Sequence, residues 1–192
     1  MPRVKEFDED EVLLKAMRLF WEQGYEKTSI NDLVERMGIH RRSLYDTFGD
    51  KHQLFLKVIE RYEKMLSGHF QAGIARADNP KQAIRFLFDY MIEGYEEKPS
   101  GCLFVNMAVE LGPWDSEVDV KAGESFDKTE QLLTDLIRMG QENGDFNTVR
   151  NAGELAENIH NTMLGLRVLA RTTAGKEKLH RIADSALAML DF

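Results

Sequence analysis

The residues best suited to chemistry in this chain sit in one short window. Between positions 36 and 52, Arg36, Arg41, Arg42 and Lys51 face only Asp46 and Asp50, a local net charge of +2 in a protein whose net charge is −8. His40, Ser43, Tyr45 and Thr47 are interleaved with them. A guanidinium can engage two acceptors on a guanine edge at once, and hydroxyls donate to phosphate or base, so this mixture suits the surface of double-stranded DNA. The overall acidity argues the other way, because phosphate binding needs cationic surface. Distribution decides: residues 1–52 carry nine Lys and Arg against eleven Asp and Glu, yet the cations gather where the hydroxyls are.

Other chemistries find no support. The five histidines, His40, His52, His69, His160 and His180, are scattered, with no HExxH, no Gly-rich phosphate loop and no nucleophile elbow, so no enzyme, cofactor or metal site is expected. The single cysteine, Cys102, excludes an internal disulfide and a CxxC motif, as a reducing cytoplasm permits. Its neighbours Gly101, Leu103 and Phe104 offer no cation to hold a thiolate, so a small buried hydrophobe is the expected role. The apolar run Leu103 to Val109 is short and interrupted by Asn106, and Met1 to Glu11 is dominated by charge. Neither a membrane span nor a signal peptide is expected.

The elements that must position the cationic window are helices. Four prolines, helical apolar spacing almost throughout and no sustained Val/Ile/Thr alternation predict an all-α fold. The first helix starts after Asp8 and runs to Gly24; Thr28 or Ser29 caps a second that ends at Gly38. A third spans His40 to Phe48 with Leu44, Tyr45 and Phe48 inward, and a long fourth runs from Lys51 to about Ile74. Two helices of about eight residues joined at a glycine, the second bearing exposed cations and hydroxyls, make a helix-turn-helix whose second helix enters a major groove. Such short helices need the first and fourth as a platform. Five more helices are expected at roughly 81–96, 101–111, 116–143, 151–173 and 176–190.

The ordered residues Gly24-Tyr25, Thr28-Ser29-Ile30, Leu33, Met37-Gly38-Ile39, Ser43-Leu44-Tyr45, Phe48, Lys51 and Leu54-Phe55 resemble the DNA-binding signature of the tetracycline-repressor (TetR) family, over roughly residues 8–66. The resemblance implies a DNA-binding domain at 6–66 and a helical effector-binding and dimerisation domain at 67–192. It implies that Thr28, Ser29 and Lys51 touch phosphate and that Tyr45 lies along the backbone, with His40, Arg41, Arg42, Ser43 and Thr47 facing the groove. Family members often carry Lys-Gly or a similar small pair where this chain has Arg41-Arg42, which bears on the operator sequence. The expected function is a repressor of a palindromic operator, released by an unidentified small molecule; the alternatives are a DNA-binding protein of the same fold without an effector and, behind it, a helical enzyme.

In the second half, Pro99 to Asn106 followed by Glu110-Leu111 resembles a segment near the ligand chamber of one branch of that family. Phe86, Tyr90, Phe104, Met107, Trp114, Phe126, His160 and Met163 are the candidates to line an apolar pocket. The stripes Leu155, Ile159, Leu166 and Leu179, Ile182, Ala183, Ala186, Leu187, Leu190 suit a four-helix interface across a twofold axis, and the resemblance implies that homodimer. The fourth helix, carrying Tyr62, Met65, Leu66 and Phe70 toward the second domain, is the expected link between pocket and DNA.

Overall fold

A computed structural model describes residues 7–93, 99 and 101–191. Among these residues the regular structure is helical throughout: α1 (Glu9–Gln23), α2 (Ile30–Met37), α3 (Arg41–Phe48), α4 (Lys51–Ile74), α5 (Pro80–Glu93), α6 (Leu103–Glu110), α7 (Ser116–Asn143), α8 (Ala152–Leu169) and α9 (Lys176–Ala188). No described helix is long and apolar enough to cross a membrane.

Local chemistry sets the boundaries. The Asp8 carboxylate accepts from the amides of Asp10 and Glu11 at 2.8 and 3.2 Å and starts α1. Ser29 and Asp32 form a reciprocal capping box at α2. Asp50 accepts from Gln53 N at 2.8 Å to start α4. Gly38 ends α2 in the left-handed region at φ 71°, a conformation that costs side-chain-bearing residues energy. The expected end of the fifth helix at Glu96, and Ser100, lie outside the described residues. Helix α8 stops at Leu169, short of Thr173. The Thr172 hydroxyl donates to Leu169 O at 2.7 Å, and the last turn tightens through Arg171 N to Val168 O.

Two apolar cores form, and they do not divide at residue 66. The first joins α1–α4 to α6 and the start of α7: Phe20, Trp21, Leu44, Phe55 and Tyr62 pack with Leu103, Phe104, Met107 and Val118. The second holds α5, α8, α9 and the later part of α7 around Phe88, Ile137, Ile159 and Leu187. The first four helices, the candidate reading head, therefore share their interior with α6.

The stripes assigned to a subunit interface are used differently. Leu155, Ile159, Leu166, Leu179, Ala183, Ala186, Leu187 and Leu190 are buried in the chain's own second core, and Ile182 alone of that set is half-exposed. A helix buries its most apolar face against whatever is nearest, and here α5 and α7 are nearest. What α8 and α9 leave outward is a shallow groove bordered by Thr162, Arg181, Ile182, Ser185 and Met189.

Candidate nucleic-acid interface

Helix α3 is fixed by two buried anchors, Leu44 and Phe48, and turns its remaining side chains outward. His40, Arg41 and Arg42 are exposed, and Ser43 and Thr47 are half-buried beside them. Tyr45, expected inward by period, is 44% exposed and joins the outer face. Among the described residues Arg42 pairs with Asp46 alone, at 3.5 Å, with its side chain 86% exposed. An exposed pair one helical turn apart contributes only about 0.3–0.5 kcal/mol, so Arg42 can exchange this partner for a better one. His40, the N-cap of α3, makes no capping bond.

The residues expected to touch phosphate flank this helix. Ser29 is exposed; its oxygen accepts from Asp32 N at 3.1 Å, which leaves its own hydrogen to donate. Thr28 departs from expectation. It is fully buried, and its hydroxyl donates to Gly24 O at 2.5 Å while accepting from Gln23 at 3.3 Å. Thr28 closes the turn between α1 and α2 instead of facing phosphate, because its neighbour Ser29 takes the cap position.

Lys51 opens α4, where the helix N-terminus also favours an anion. Its ammonium stands 4.1 Å from the centre of the Tyr25 ring. Burial pulls the Lys51 pKa down, while the carboxylates of Glu26 and Glu110 pull it back up. The Tyr25 ring is itself held by Phe20 and Phe55, at centroid distances of 5.9 and 4.9 Å.

Sequence reasoning missed what holds Tyr25. The Glu110 carboxylate, at the end of α6, accepts from Tyr25 N at 3.0 Å and from Glu26 N at 2.8 Å. Gly24, at φ 88°, makes room: a Cβ there would lie 2.8 Å from Glu110 Oε2. Two further bonds tie the reading head to the larger half, His52 Nε2 to Asp115 Oδ2 at 2.8 Å and Arg171 to Trp21 O at 3.3 Å.

The candidate pocket residues fall into two groups. Phe104, Phe126, His160 and Met163 border a small chamber of about 30 Å³, together with Leu66, Phe70, Cys102 and Arg167. Leu66, Phe70, Ser125 and Thr129 also border an outer cleft of about 210 Å³ between α4 and α7, so chamber and cleft adjoin. His160 lies 3.7 Å from Glu130; burial lowers its pKa, against the pull of that carboxylate. Phe86, Tyr90, Met107 and Trp114 lie outside the chamber. Phe86 covers Gly73, where a Cβ would meet the ring at 1.9 Å, and Met107 is buried in the first core. Tyr90 stacks edge-on to Phe70, and Trp114 is 86% exposed.

Comparison with known proteins agrees with this anatomy. Residues 12–58 match the family described as bacterial regulatory proteins, tetR family, and residues 80–186 match the tetracyclin repressor-like C-terminal domain. The HTH-type transcriptional regulator YezE of Bacillus subtilis is 34% identical over 100% of both chains. The HTH-type transcriptional repressor ComR of Escherichia coli is 30% identical over 97% of this chain and 90% of its own. A cysteine mutant of the TetR family transcriptional regulator CifR, solved with a 26-bp double-strand operator DNA, superposes with a TM-score of 0.88 at 27% identity, over 98% of this chain and 99% of its own. With both halves matched in order and a relative aligned end to end, the chain belongs to the TetR family of bacterial regulatory proteins.

Proposed function

We propose that this protein is a cytoplasmic, homodimeric transcriptional repressor that binds a palindromic operator through α3 and the start of α4, and leaves it when a small molecule enters the chamber beside α4. The observation that carries the reading is the outer face of α3: Arg41, Arg42 and Tyr45 are exposed on a helix anchored from behind by Leu44 and Phe48, with Lys51 following at the start of α4. A twofold dimer would present two such faces about 34–36 Å apart along the DNA, or somewhat more. The groove of α8 and α9, with Ile182 and Met189 half-exposed, is the surface that fits the second copy.

Selection of bound DNA from a random pool tests the reading, and a palindromic consensus is the expected result. Two substitutions then separate backbone from base contact. Lys51→Ala should weaken binding to every sequence alike and lower the log–log salt slope by roughly 1.8, for two lost phosphate contacts per dimer. Arg42→Ala should cost about 1–3 kcal/mol at one base position in each half-site. A uniform loss across sequences would reassign Arg42 to the phosphates.

A further inference from the structure

Arg167 is a buried cation with no counter-charge among the described residues. It is 3% exposed in α8, its Nη1 donates to Gly101 O at 3.2 Å, and its guanidinium lies 5.9 Å from the centre of the Tyr90 ring. Its Nε has no hydrogen-bond partner, and no carboxylate among the described residues forms an ion pair with it. A guanidinium this deeply buried is held away from water, which is costly unless something pairs with it. The guanidinium borders the chamber between α4, α7 and α8, whose other walls are mostly apolar, Leu66, Phe70, Phe104, Phe126 and Met163 among them. Of the other ionisable wall groups, Cys102 and His160, neither is a carboxylate, and His160 already has Glu130 beside it at 3.7 Å.

We propose that the effector is an amphipathic organic monoanion, an apolar body ending in a carboxylate, whose carboxylate pairs with Arg167 while its body occupies the chamber and the cleft between α4 and α7. The proposal rests on the reading of this chamber as the effector site. A carboxylate matches the planar fork of a guanidinium and supplies an acceptor for the orphaned Nε. One cation in an apolar chamber suits a single negative charge better than a phosphate dianion, which needs several donors, and it repels cationic amphiphiles. The chamber holds only about 30 Å³ as it stands, so an entering body has to part α4 from α7.

The test is calorimetric titration of the full-length protein with hexanoate, octanoate and decanoate, each against the primary amide of the same length. The carboxylate of the best-fitting length should bind roughly tenfold to a hundredfold more tightly than its amide, the expected return on one charge-assisted pairing in a dry site. Arg167→Met should bring the two to parity or reverse them, and Arg167→Lys should keep the preference for the anion. Equal binding of acid and amide to the wild type, or no binding by any member of the series, overturns the proposal even if Arg167→Met fails to fold. Operator release, followed separately by fluorescence anisotropy, keeps the two readings apart. A carboxylate that binds without releasing DNA leaves the anion site standing and removes the coupling. Amides that bind and release as well as acids do the reverse.

Discussion

A Leu187→Glu chain is expected to lose most or all of its folding stability, and it will not yield monomers that melt like the wild type. Leu187 is 3% exposed within the second core, packed among α5, α8 and α9. Removing a buried leucine side chain costs about 2–5 kcal/mol in the protomer alone, and an unpaired carboxylate in its place adds a desolvation penalty of the same order. Against a total stability of about 5–15 kcal/mol, that leaves little or nothing. Far-UV circular dichroism should show a melting temperature lowered by roughly 10 °C or more, or no cooperative transition. Ile182→Asp in α9 combined with Met189→Asp at its C-cap, both half-exposed, should instead keep the melt and lose the proposed dimer in sedimentation. A Leu187→Glu protein that melts like wild type and sediments as a monomer would place Leu187 at the subunit boundary and overturn the assignment of the outer groove.

That contrast shows where sequence is legible and where it stops. The caps at Asp8, Ser29 and Asp50 and the breaks at Gly24, Gly38 and Gly49 are local chemistry, so the four N-terminal helices could be placed within a residue or so from the chain itself. The outward face of α3 followed from period, apart from Tyr45, because two anchors four residues apart fix a short helix. Periodicity names an apolar face without naming its partner. The stripes of α8 and α9 read the same whether they meet another subunit or α5 and α7. Thr28 and Ser29 are both plausible caps by type, and only the capping box with Asp32 separates the exposed hydroxyl from the buried one. Glu110 and Arg167 were illegible for a different reason: their partners lie 85 and 66 positions away, beyond any local pattern.

The second large effect is expected at Glu110, because α6 is a short rod whose start borders the chamber and whose end grips the turn between α1 and α2. Phe104 and Val105 border the chamber. About five residues further along, or roughly 8 Å at 1.5 Å per residue, Glu110 grips the amides of Tyr25 and Glu26. Tyr25 in turn supports Lys51. A body that enters the chamber and moves Phe104 therefore acts on the proposed phosphate contact through two bonds to backbone, in addition to any tilt carried by α4. Linkage sets the size of the result: ligand weakens operator binding by the same factor by which operator weakens ligand binding, typically about 5-fold to 150-fold. Glu110→Ala removes both acceptors and should bring that factor close to one, while ligand affinity in the absence of DNA stays as it was, since Glu110 does not border the chamber. Titrating wild type and Glu110→Ala with and without saturating operator measures all four affinities. Hydrogen exchange at the Tyr25 and Glu26 amides gives a check that needs no ligand, because protection there should fall when the carboxylate is gone. If the variant keeps the wild-type coupling factor after those amides have lost their protection, the path through α6 is wrong and α4 alone carries the signal.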